Sequence, residues 1–270
     1  MNYHEWLRDA TKSVIDEIVD SYASVKHGGW SENYITTRVL GAVERAGTEL
    51  SWDELNQKIV WEGYKLNGKN ETTFGDIAVF VRVRLLDDRY LEGVAFYEAK
   101  RQYFDANGKV KGFKAARSNQ FLTISESSSS SNVLLYDVDP TKKNACATSV
   151  PTKFMNELAE AKYPFAGRIL HRYGENWLSF LGANLKGFGL DFSSDSVQAI
   201  KDIAATDDAP FAVMNVAVGK MGLEPTLSPH FSQLPNYEKI WGSASLYPDK
   251  NENENENENE NRNGKRIAPK

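Results

Sequence analysis

A chain of 270 residues, 41% hydrophobic and 26% charged, can bury one sizeable core and has the composition of an ordinary globular protein. A single cysteine, Cys146, excludes an internal disulfide framework and a zinc site built from cysteines, and it points to a reducing, cytoplasmic setting. The net charge of −5 argues against a strongly basic nucleic-acid footprint, yet residues 251–260, "NENENENENE", hold five glutamates and leave the remainder formally neutral.

The chain opens with "MNYHEWLRDATKSVIDEIVDSY", where Val14, Ile15, Ile18, Val19 and Tyr22 fall at helical spacing over residues 3–25. This segment has no signal-peptide apolar core, and no run approaches the roughly 18 apolar residues of a membrane span, so no membrane association is expected. "KHGGW" ends the helix. Ser31 is a predicted N-cap for a second one through "ENYITTRVLGAVERA", with Ile35, Val39, Leu40 and Val43 on one face. "KIVWEGYKL" (58–66) predicts a strand and "NGKN" a turn. "TTFGDIAVFVRVRLL" (72–86) alternates, placing Ile77, Val79, Val81, Val83 and Leu85 on one face and Arg82 and Arg84 on the other. Asp87-Asp88-Arg89 predicts a tight connection, and "YLEGVAFYEAK" returns as the partner strand. "DANGK" is a second turn signal. "FKAARSNQFLTISES" (113–127) predicts a helix and "NVLLYDV" (132–138) a strand.

Residues 31–138 thus read α-β-β-β-α-β. Beyond them, 152–182 reads as helical and "PFAVMNVAV" (210–218) as one more strand. The expected organisation is a core with its N-terminal helix over 1–150, a mostly helical α/β extension packed on it over 151–247, and a disordered Asn/Glu-rich tail over 248–270.

The chemistry concentrates at one strand end. Glu98 and Lys100, two apart on a strand, point to one face, and burying them is costly unless they are paired or coordinated. Pairing about the 87–89 turn brings Asp76 opposite the Glu98–Lys100 stretch. Neighbouring carboxylates raise one another's pKa unless a cation lies between them, and oxygen-only donors favour a hard ion such as Mg²⁺. A lysine beside such an ion orients water or stabilises phosphate charge. Residues 76–120 carry nine Lys or Arg against six Asp or Glu, which suits a phosphate-facing surface. A second E-x-K, Glu160 to Lys162, sits in a helical pattern with no acid-bearing strand before it and reads as a solvated helix face. His4, His27, His171 and His230 form no H-x₃-H pair, and no Ser-His-acid set or glycine-rich phosphate loop stands out.

"GDIAVFVRV…AFYEAK" within the α-β-β-β-α-β order resembles the PD-(D/E)XK, or restriction-endonuclease-like, nuclease superfamily. The resemblance covers about 110 residues. It implies an α/β fold: a mixed sheet flanked by helices, with the mostly helical C-terminal part outside that core. It also implies a Mg²⁺-dependent endodeoxyribonuclease, with Mn²⁺ able to substitute. Asp76 and Glu98 correspond to the metal-binding acids and Lys100 to the catalytic lysine. Glu32 matches the glutamate of the helix before the sheet, with Glu44 as its substitute, and Gln120 matches the glutamine of the following helix. The proline of the family name is absent, since Phe74-Gly75 precedes Asp76. Tyr103, Arg101, Lys114 and Arg117 are further candidates for phosphate contact. The implied partner is nucleic acid, DNA ahead of RNA, with a homodimer or larger complex in bacterial restriction or anti-phage defence. The alternative is a non-catalytic nucleic-acid-binding or assembly subunit that keeps the fold.

Overall fold

A computed structural model describes residues 1–66, 75–86, 89–113, 118–162, 168–205 and 209–240, with 118–120 and 204–205 described by backbone alone. The N-terminal helix is α1 (Tyr3–Ala23), capped by the Asn2 side chain, which accepts from the His4 N–H. Ser31 caps α2 (Glu32–Arg45) as the sequence predicts, by accepting from Tyr34. Then come β1 (Glu49–Trp52), β2 (Gln57–Leu66), β3 (Ile77–Leu86), β4 (Arg89–Arg101), a small hairpin of β5 (Tyr103–Phe104) and β6 (Val110–Gly112), and α3 (Ser118–Ser127). The chain continues through β7 (Ser131–Asp139), β8 (Asn144–Pro151), α4 (Thr152–Glu160), β9 (Glu175–Asn176), α5 (Trp177–Leu185), α6 (Ser194–Lys201), β10 (Ala212–Gly219) and β11 (Tyr237–Lys239). The predicted turn at 67–70, the loop at 87–88 and the tail at 248–270 lie outside the described residues.

Among the described residues nine of these strands form one mixed sheet in the order β1-β2-β10-β3-β4-β7-β8-β9, with β11 also paired to β2, and β5 and β6 form a separate two-stranded sheet. Helices cover both faces, so this is an α/β protein. Strand β3 shows why. Ile77, Val79, Val81 and Val83 face the core that Trp6, Val14 and Ile18 of α1, Val39 and Val43 of α2, and Trp177 and Leu181 of α5 complete. Ala78 and Phe80 face a second core with Val197 and Ile200 of α6. Leu85, expected on the first face, is 41% exposed because it lies near the end of β3, past the four valine and isoleucine side chains that the helices cover. On β7, Val133 and Leu135 join Phe121 of α3 and Met155 of α4 in a third cluster.

The predicted β3–β4 pair is antiparallel, with Ile77 opposite Tyr97. Strands β4 and β7 are parallel, with Lys100 opposite Leu135, and α3 lies in the connection between them. The C-terminal part is more than a packed extension. Strand β10, entirely buried, inserts between β2 and β3, antiparallel to the first and parallel to the second. Its sequence "AVMNVAVG" is a near-continuous apolar run, which suits a strand covered on both faces. The sheet therefore does not divide at residue 150. No described helix is long and apolar enough to cross a membrane.

Candidate functional site

The charged cluster forms where β3 begins and β4 ends. Asp76, expected in mid-strand, sits one residue ahead of β3, and residues 72–74 of the expected strand lie outside the described residues. Gly75, at φ +80°, turns the chain into this position. The Asp76 N–H donates to the Tyr97 carbonyl at 2.9 Å, and its own carbonyl accepts from the Ala212 N–H at 2.8 Å. The Asp76 backbone is thereby held by β4 on one side and β10 on the other. Its carboxylate accepts from the Ala99 N–H, between Glu98 and Lys100.

Glu98 and Lys100 share one face as their spacing requires, and the Lys100 ammonium donates to Glu98. Glu32, in the first turn of α2, reaches the same point. One of its oxygens lies 3.5 Å from Lys100 Nζ and the other accepts from the Arg101 N–H at 3.2 Å. Four residues singled out in the sequence thus meet. Asp76, Glu98 and Lys100 are only 6%, 3% and 4% exposed. Burial pulls the Lys100 pKa down, but the charges of Glu32, Glu98 and Asp76 outweigh it and hold the ammonium above its ordinary range. Lys100 is a fixed cation, not a base.

Glu44 does not belong to this group. It lies at the far end of α2 in the field of Lys239 and Glu62, where desolvation raises its pKa to about 7. Gln120 lies on α3, and its side chain is outside what is described; Lys114 and Arg117 lie outside the described residues. Arg101 stacks over the Tyr103 ring at 4.4 Å, next to the cluster in sequence. Arg82 sits over Tyr90 at 4.1 Å and 3.2 Å from Glu92, a paired residue on the side of the strand away from Val81 and Val83. Glu160 and Lys162, the second E-x-K, are exposed at the end of α4, as expected.

The chain matches no family model, no curated protein and no solved structure. What the cluster can do follows from its own chemistry. Three carboxylates beside one ammonium are all-oxygen donors of the kind that hold hard divalent cations. Their ligand atoms are not all within 4.8 Å of one another. Among the described residues that closeness belongs to a different trio, Asp137, Cys146 and His171. A mixed donor set of this kind is one that counting cysteines misses. Its members come from β7, β8 and the short turn of helix at Arg168–Tyr173, and no local spacing links them.

Proposed function

We propose that this chain is a metal-dependent nuclease on a restriction-endonuclease-like core, hydrolysing phosphodiester bonds in DNA ahead of RNA. The observation that carries the reading is the meeting of Glu32, Asp76, Glu98 and Lys100 at the β3–β4 junction. Burying Asp76, Glu98 and Lys100 at one strand junction, with Glu32 of α2 half-buried beside them, costs several kcal/mol that packed apolar residues would not, which favours a chemical use for them. With β1 and the β5–β6 hairpin set aside, the order α2-β2-β3-β4-α3-β7, with β4 and β7 parallel, supports the same core, although β10 stands between β2 and β3 in the sheet. The position of the family's proline is Gly75 here, and its φ of +80° is one that proline cannot adopt.

Asp76 and Glu98, with Glu32, would hold one or two Mg²⁺ ions, with Mn²⁺ as a substitute. Such an ion supplies charge neutralisation at the scissile phosphate and a bound water of lowered pKa. The protein's own residues do the rest. The Ala99 N–H fixes the Asp76 carboxylate against β4. Lys100, kept protonated by its three acidic neighbours, orients the attacking water and stabilises the negative charge that builds on the phosphoryl oxygens. Gln120 on α3 is assigned to orienting Lys100 or the nucleic-acid backbone. Restriction or anti-phage defence is the setting proposed, with a homodimer where both strands are cut.

Supercoiled plasmid incubated with the protein and Mg²⁺ should be nicked or linearised. EDTA and Lys100→Ala should each abolish the cleavage. An untouched plasmid and an untouched RNA across Mg²⁺ and Mn²⁺ remove the reading. One observation favours the non-catalytic subunit instead: Lys100 is already engaged by Glu98 and Glu32. That alternative predicts nucleic-acid binding that is metal-independent and indifferent to Asp76→Asn.

A further inference from the structure

Asp137 and Cys146 are register partners on β7 and β8, so their side chains stand on one face of the sheet. Thr148, two residues beyond Cys146, shares that face. The 3₁₀ turn Arg168–Tyr173 lies over them and brings down His171 and Arg168. His171 Nε2 lies 3.5 Å from Asp137 Oδ2 and 3.9 Å from Cys146 Sγ. Around a tetrahedral zinc ion the ligand atoms should stand about 3.4 Å apart for nitrogen and oxygen and about 3.5 Å for sulfur and nitrogen. The two distances from Nε2 need only a few tenths of an ångström of closure to match, and all three residues offer ligand atoms within 4.8 Å of one another.

The surroundings fit as well. His171 Nδ1 lies 2.8 Å from Thr148 Oγ1, so Nδ1–H can donate to that hydroxyl and leave Nε2 free to ligate. This is the arrangement by which an outer partner fixes the tautomer and orientation of a metal-bound imidazole. Asp137 Oδ1 accepts from the Val138 N–H at 2.7 Å. Arg168 donates to Asp137 Oδ2 at 2.6 Å and to the Val138 carbonyl at 2.7 Å, which fixes the carboxylate. Phe113 packs edge-on against the imidazole at 5.7 Å and closes one side. Cys146 is only partly buried, which leaves a way in.

We propose that Asp137, Cys146 and His171 bind one Zn²⁺ through Oδ2, Sγ and Nε2, with water in the fourth position. A thiolate with an imidazole selects zinc over magnesium, the reverse of the all-carboxylate group around Lys100. The site pins the Arg168–Tyr173 segment to β7 and β8. It stands beside the nuclease cluster on the sheet, since Leu135, two residues before Asp137, is the register partner of Lys100. The inference does not depend on the nuclease reading.

The test is metal binding by the full chain, stripped of metal and titrated with Zn²⁺ and with Co²⁺ as a spectroscopic stand-in. One equivalent of Zn²⁺ should bind and raise the unfolding temperature. The Co²⁺ form should show the intense visible bands of a tetrahedral site and a thiolate-to-cobalt charge-transfer band in the near ultraviolet. Cys146→Ser should lose the charge-transfer band, and Thr148→Val should weaken Zn²⁺ binding roughly tenfold or more. The double variant Asp76→Asn, Glu98→Gln should keep the band, which separates this site from the carboxylate cluster. A Co²⁺ form with only weak octahedral absorption overturns the proposal, even where a variant fails to fold. Zn²⁺ binding unchanged by Cys146→Ser overturns it too.

Discussion

The backbone N–H of Ala212 donates to the carbonyl of Asp76 at 2.8 Å, so the first residue of β10 holds the acid that stands just ahead of β3. The register of β10 then runs on without a break, from Ala212 opposite Ile77 to Gly219 opposite Arg84. A fragment of residues 1–150 lacks this strand and leaves the edges of β2 and β3 unpaired at the sheet's centre. It is expected to be insoluble or molten and to lack any cleavage activity, as circular dichroism and size-exclusion chromatography will show. A cooperative, soluble 1–150 fragment would disprove the structural dependence on β10.

Lys100 neutralises a buried acidic group, so its loss has two separable consequences. Lys100→Met keeps the length and removes the charge, leaving Glu98 and Asp76 buried without their ammonium. Folding stability should fall by roughly 3 kcal/mol, as for a broken buried ion pair. Mg²⁺ should recover more of that loss than it adds to the unsubstituted protein, because a bound cation takes over the missing charge. Plasmid cleavage should drop by at least about a hundredfold, the order expected when one preorganised charge-stabilising group is lost. Urea denaturation with and without Mg²⁺ reads the first effect and gel electrophoresis the second. Full cleavage by Lys100→Met sinks the assigned role.

Gly75 offers a cleaner probe of Asp76, with a control built into the chain. A Cβ at Gly75 would stand 2.9 Å from the Tyr97 carbonyl oxygen, and the φ of +80° is strained for any L-residue. Gly108 has a similar φ of +75° but nothing within 4 Å of its would-be Cβ. Gly108→Ala should cost only the conformational term, about 1 kcal/mol. Gly75→Ala should cost roughly 1–2 kcal/mol more and displace Asp76, lowering cleavage well beyond the Gly108→Ala value. Equal thermal shifts and equal activities in the two variants would show that Gly75 does not position the acid.

Helices α1, α2 and α3 and strands β2, β3, β4, β7 and β10 are readable because their apolar spacing is strong, whereas β8 and α6 are not, and the expected helix over 152–182 is interrupted by β9 between α4 and α5. The Asp76–Glu98–Lys100 group was readable because β3 and β4 are consecutive, so the pairing fixes the contact. What the sequence hid depends on long-range placement. Nothing near residue 212 announces that "AVMNVAVG" enters between β2 and β3, since a fully buried strand has no alternation to reveal its neighbours. The serine run 127–131, where the predicted helix ends, carries no pattern of its own, yet it is organised by Asp191. That carboxylate accepts from Ser128 Oγ, the Ser129 N–H, the Ser193 N–H and Ser196 Oγ at 2.8–2.9 Å, tying the loop after α3 to the start of α6. Burial pushes the Asp191 pKa up, but these donors outweigh it and hold it well below the carboxylate range. The Asp137–Cys146–His171 trio was hidden for the same reason, because its third member arrives from a turn 25 residues beyond the cysteine.

Glu44 is the place where pH should register in stability. Its Oε2 is buried without a hydrogen-bond partner among the described residues, and desolvation, reinforced by Glu62 and opposed by Lys239, raises its pKa to about 7. The unfolded carboxyl titrates near the ordinary glutamate value of about 4.3. Between these values the folded state holds a proton that the unfolded state has released, so stability falls as pH rises through that window. Below it both states are protonated and the penalty vanishes; above about 7 it is complete. Glu44→Gln removes the charge but keeps the shape. It should therefore stabilise the protein at pH 8 by on the order of 1–2 kcal/mol, after allowance for partial solvent access, and have little effect at pH 4.5. Urea midpoints for both proteins at the two pH values measure the difference. A stabilisation of the same size at both would show that Glu44 does not titrate between them.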